Sequence, residues 1–96
     1  MNIDHVSVWN ISKSDFLAFR HLLKNPNYFS DSYDDWLMKV EGFGKEMRFR
    51  GEKTRQVKIE CHAFTTWCSA KQLKPDSKKF RRYLRHAHLL GRAPTT

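Results

Sequence analysis

Between Lys74 and Arg92 the chain carries seven lysines and arginines (Lys74, Lys78, Lys79, Arg81, Arg82, Arg85 and Arg92) against a single carboxylate, Asp76. That local balance is +6, whereas the other 77 residues hold eleven basic and nine acidic side chains, a balance of +2. The chemistry such a cluster can do is anion recognition. A guanidinium fork donates two hydrogen bonds at once to a phosphate, and arginine outnumbers lysine in this cluster. Five cations in near succession, Lys78, Lys79, Arg81, Arg82 and Arg85, match what a helix needs to cross a phosphate backbone.

Other chemistries are poorly served. Cys61, His62, Cys68, His86 and His88 lack the paired spacing that presents ligands to one tetrahedral zinc ion. His86 and His88 fall about 160° apart on a helix and cannot share an ion. No glycine-rich phosphate loop, nucleophile elbow or pair of catalytic carboxylates occurs. Asp31, Asp34 and Asp35 are better explained by a helix N-terminus, where the backbone dipole favours negative charge. The residues therefore imply no catalytic set, no metal site and no cofactor, and point away from an enzyme.

The cationic segment has to be carried by a fold, and the periodicities suggest which. Residues 3–9 alternate loosely and predict a short strand. Ser12 followed by Asp15 resembles a capping box, Phe16, Phe19, Leu22 and Leu23 keep helical spacing, and Asn25-Pro26 stops that helix. A second helix is predicted from about residues 30–32, with Tyr33, Trp36, Leu37 and Val40 as its apolar stripe and Gly42 or Gly44 as its end. Met47 and Phe49 then alternate with charges, Gly51-Glu52-Lys53 offer a turn, and Val57, Ile59 and Cys61 alternate again. This pattern predicts an antiparallel hairpin over 46–61. Its arginines and lysines, Arg48, Arg50, Lys53, Arg55 and Lys58, would share the exposed face as a secondary basic surface. The spacing of Phe64, Trp67, Cys68 and Lys71 predicts a third helix.

Pro75, with Asp76 or Ser77 at the N-cap, opens the last helix. On a helical projection Phe80, Tyr83, Leu84, Ala87 and Leu90 occupy an arc of about 120°. The remaining arc holds Lys78, Lys79, Arg81, Arg82, Arg85, His86 and His88, with Leu89 as the one apolar intruder. No glutamate is interleaved there to pair with the cations at i±4. Residues 62–90 resemble a helix-turn-helix unit in outline, about a third of the chain. They depart from it in having Gln72 where a turn former belongs and Pro75 lengthening the connection. Lys78 and Arg81 also fall where that template buries apolar residues. A helical hairpin is the reading that fits.

The totals agree with a small folded object. Ninety-six residues make one domain, and 14% aromatic content can fill a core that its thin aliphatic supply could not. The expected fold is an α+β single domain spanning 1–96. It has about four helices, a short antiparallel sheet built from the N-terminal strand and the 46–61 hairpin, and a flexible tail over 92–96. No apolar run approaches the roughly 18 residues of a membrane span, and no secretory signal opens the chain. Two reduced cysteines point to the cytoplasm. Trp9 is the tryptophan expected at the surface, where it would mark a protein contact or a homodimer. The net charge of +8 and its placement favour a regulatory or accessory nucleic-acid-binding protein, DNA ahead of RNA. The contact set is Lys74, Lys78, Lys79, Arg81, Arg82, Arg85, His88 and Arg92. The alternative is an adaptor or inhibitor that docks an acidic protein through the same face.

Overall fold

The computed structural model describes residues 5–23, 29 and 31–94. The element order is β1 (His5–Asn10), α1 (Lys13–Leu22), α2 (Tyr33–Phe49), β2 (Lys53–Lys58), α3 (Cys61–Ala70) and α4 (Ser77–Leu90). Ile3 and Asp4 of the expected first strand, Ser30 and the Asn25-Pro26 stop lie outside the described residues.

The antiparallel hairpin over 46–61 is not formed. β1 and β2 pair in parallel as a two-stranded sheet, with His5 opposite Lys53 and Asn10 opposite Lys58. The physical reason lies in α2, which runs through both glycines to Phe49. Met47 and Phe49 therefore sit on opposite sides of a helix: Met47 is half-buried, while Phe49 is 93% exposed. The turn signal at Gly51 is real but has a different use. Gly51 adopts φ +83° just past the helix C-cap, where its N–H donates to the Arg48 carbonyl and the Glu52 N–H to the Met47 carbonyl. That pair of bonds is a Schellman closure, which glycine makes without steric cost. Parallel strands require a long crossover, and α1 and α2 together supply it.

Successive residues of a strand face opposite sides of the sheet. Val8 meets Gly44 of α2, a buried glycine whose absent side chain lets helix and strand approach. Ser7 faces the other way and its Oγ lies 2.7 Å from Nδ1 of His88 on α4. The sheet is thus covered by α2 on one face and by the C-terminal end of α4 on the other.

Asp15 ties α1 to α3. Its N–H donates to the Ser12 hydroxyl, that hydroxyl donates to Oδ2, and Oδ1 accepts the N–H of Cys61 at 3.1 Å. Cys61 opens α3, whose own N-cap residue, Glu60, makes no side-chain cap bond. A carboxylate from another helix thus supplies the anion that this N-terminus needs. Tyr33 makes a similar link, donating its hydroxyl to the Ile11 carbonyl at 2.9 Å.

The core is aromatic. Phe16, Phe19, Phe29, Trp36, Phe64, Trp67, Phe80 and Tyr83 are buried together with Ile11, Val57 and Ile59. Phe80 lies 4.7 Å from Phe19 by ring centroids and meets Phe64 edge-on at 5.4 Å, while Tyr83 meets Phe64 and Trp67 edge-on, each at 5.3 Å. Such edge contacts add about 0.5–1.5 kcal/mol per pair beyond area burial. Pro94 is buried, so burial extends into the segment expected as a tail from residue 92. No helix among the described residues is long and apolar enough to cross a membrane.

The Tyr83 hydroxyl is buried without a hydrogen bond among the described residues. Burial, with smaller contributions from Glu60 and Cys68, pushes its ionisation from the ordinary 10.0 up to about 12. The unfolded chain therefore ionises first, and stability contributed by the neutral phenol is complete below pH 10 and falls as pH rises toward 12. Replacing Tyr83 by Phe removes a stranded polar atom, so chemical denaturation at neutral pH should show unchanged stability or a gain of up to about 1 kcal/mol. The same variant should lose part of the alkaline decline between pH 10 and 12.

Candidate anion-binding face of the last helix

Local rules set α4 in place before any tertiary contact is counted. Asp76 is its N-cap, accepting the Lys79 N–H at 2.7 Å, and Gly91 closes it in the left-handed region at φ +73°. The backbone bond from Lys79, followed by the charge of Lys79, holds the Asp76 carboxyl below its usual range. Preceding it, α3 ends in a second Schellman closure. Gln72, at φ +56°, donates to the Ser69 carbonyl and Leu73 to the Cys68 carbonyl. Gln72 is thus itself the left-handed turn residue, and the six residues between the helices form a longer link than a helix-turn-helix uses.

Phe80, Tyr83 and Ala87 are buried, which orients the opposite side of α4 to solvent. Lys78, Arg81, Arg82 and Arg85 stand exposed along that side at i, i+3, i+4 and i+7, a single stripe running along the helix. Among the described residues none of the four has an ion-pair partner. Together with Lys79 they line a shallow recess of about 590 Å³. Arg82 is steadied from beneath, its guanidinium 5.9 Å from the Trp67 ring. Such a contact is worth about 0.5–1 kcal/mol at an exposed site.

Not every expected member joins the stripe. Lys79 is half-buried and lies 3.6 Å from Asp76, so its charge is partly spent on the helix N-cap. His88 turns toward the sheet, bound to Ser7 and with its ring 5.5 Å from that of His5. His86 sits on the other shoulder, edge-on to Trp67 at 5.8 Å. Leu90, placed on the inward arc by periodicity, is 52% exposed because α4 outruns the core at its C-terminal end. Lys74 and Arg92 are exposed, one in the connection before α4 and one just beyond it.

The secondary basic surface is dispersed. Arg48 lies on α2, and Arg50 is its C-cap residue, paired with Glu46 at 2.8 Å. Lys53, Arg55 and Lys58 are on β2, and Lys58 approaches Glu60 at 3.9 Å. Arg55 belongs instead with α4. Its guanidinium lies against Gly91, where a Cβ would stand 2.1 Å from Nη1, and so near the carbonyl end of the helix that cations favour.

Lys71, read from the sequence only as part of the spacing of α3, borders the stripe. Its ammonium lies 5.5 Å from the Trp67 ring that also carries Arg82. The i+4 spacing from Trp67 is the signal that would have found it. Trp9, expected at the surface, is half-buried against the core.

Burial, with Asp15 nearby, pushes the Cys61 thiol up, and burial does the same at Cys68. Comparison with protein-family models, curated proteins and solved structures finds no match to this chain.

Because Asp76 caps α4 with a low-lying carboxyl, its contribution is present above the ordinary aspartate range and fades as pH falls through its own lower value. Asp76→Ala should cost about 1 kcal/mol at neutral pH in a denaturant melt. The gap between variant and parent should close in strong acid.

Proposed function

We propose that this protein binds nucleic acid, duplex DNA ahead of RNA, as a regulatory or accessory factor that contacts phosphates through the outer face of α4. The observation that supports the reading is the stripe Lys78, Arg81, Arg82 and Arg85, exposed and without acidic partners among the described residues, on a helix whose other side is locked into the core. Four neighbouring cations repel one another while the protein is alone, and a polyanion removes that cost. A helix about 10–12 Å across with its side chains also fits a major groove about 12 Å wide. DNA is preferred over single-stranded RNA because the aromatic rings that would stack unpaired bases are mostly inside the core. Phosphate contacts give affinity without sequence preference, and Arg81, Arg82 and Arg85 are the side chains to reach guanine edges or phosphates if the helix enters the groove.

Lys79 is engaged with Asp76, so four phosphates rather than five are neutralised by the stripe, and log K should fall against log salt with a slope of about −3.6. Fluorescence anisotropy on a short duplex checks this. Reversing Arg81, Arg82 and Arg85 to Glu should abolish binding while lowering the thermal midpoint by no more than about 4–8 °C, since all three are exposed and only Arg82 gives up a contact, that with Trp67. A shallow slope, with capture of an acidic protein unaffected by nuclease, would instead favour the adaptor reading.

A further inference from the structure

Helix α2 has a second, outward pole that nothing in the fold uses. Its inward side buries Trp36 and Gly44 and half-buries Tyr33, Leu37, Val40 and Met47. At about 100° per residue, Met38, Gly42 and Phe49 fall diametrically opposite. Met38 is 70% and Phe49 93% exposed, whereas Phe43, about 100° round the helix from Gly42, flanks the inward side. Gly42 differs from Gly44 in its surroundings. No atom lies within 4 Å of where its Cβ would be, so no close approach inside the chain accounts for it. A mid-helix glycine costs about 1 kcal/mol relative to alanine, and here it leaves an open notch between exposed apolar side chains.

The charges around this pole are arranged for an antiparallel copy of the same helix. Placing two α2 helices antiparallel with Gly42 of one level with position 43 of the other sets Lys39 against Glu46 and Asp35 against Arg50, each pair occurring twice by symmetry. The intrachain partners of these groups, Asp31 for Lys39 and Glu46 for Arg50, are exposed surface pairs of little worth, free to extend into five-membered networks. We propose that the outward pole of α2 is a self-association surface on which a second copy of this chain docks antiparallel, bringing the two Gly42 notches together at the two-fold axis with Met38 of each copy beside Phe49 of the other. The contact is isologous, as a two-fold dimer requires. A 17-residue helix is only about 26 Å long, so the buried area is below that of stable dimers and the association is weak. α2 and α4 cover opposite faces of the sheet, so the cationic stripe stays accessible in the dimer. The proposal does not depend on what that stripe binds.

Sedimentation equilibrium on the full chain tests it. The expected result is a monomer–dimer equilibrium with a dissociation constant on the order of 10–100 μM. Lys39→Glu or Glu46→Lys alone should weaken it at least about tenfold, and the two together should restore it, because the swapped charges meet again across the two-fold. Gly42→Leu should abolish the dimer while the thermal melt holds or rises, leucine being the better helix former. A monomer mass maintained to about 1 mM protein overturns the proposal. So does a dimer that ignores Gly42→Leu and gains nothing from the double charge swap.

Discussion

The rotation of α4 about its own axis is the constraint on which the rest of the structure depends. Phe80 and Tyr83 enter an aromatic cluster contributed by α1, α3 and Phe29, and Ala87 lets the next turn lie close. Truncating a ring such as Phe80 would remove about 3–5 kcal/mol, a large share of what a domain of this size has to spare. The energetic weight thus lies mainly on the inner side of the helix. The outer side is left to electrostatics, and its cations contribute little to holding the chain together. Division of labour between two faces of one helix lets a small basic protein present charge without unfolding under its own repulsion.

Helix ends matter as much as the core. Asp76 and Gly91 bracket α4, Ser12 and Ser32 open α1 and α2, and left-handed residues at Gly51 and Gln72 close α2 and α3. Asp15 extends this logic across the tertiary structure by serving two N-termini at once. The connection between α2 and β2 and that between β2 and α3 are each only a few residues long.

What could be read from the residues alone follows the same division. α1, α3 and α4 were legible because each has an apolar stripe, and Ser12, Asp76 and Pro75 mark starts that local chemistry dictates. The far half of α2 was not. Gly42 and Gly44 look like a stop, yet one sits against Val8 and the other leaves an open notch, and neither circumstance is visible without the partner surface. Met47 and Phe49 satisfy a two-residue period by accident of spacing, which made a hairpin of a helix end. Strand direction was hidden for a related reason: which segment β2 pairs with is decided by how α1 and α2 fold back. At the site, Lys78, Arg81, Arg82 and Arg85 follow from periodicity, whereas the inward turn of His88 and the engagement of Lys71 depend on Ser7 and Trp67 as neighbours.

The parallel pairing of β1 with β2 carries a consequence for biosynthesis. The chain leaves the ribosome with His5–Asn10 first, but the strand that completes it ends at Lys58. Throughout the intervening elongation Val8 and Trp9 have no sheet partner, so the sheet closes only after both crossover helices have been made, as expected for non-local contacts. His5–Asn10 therefore wait without their sheet partner until Lys58 has been made. A fusion or tag that delays their return would trap the nascent protein with Val57 and Ile59 uncovered.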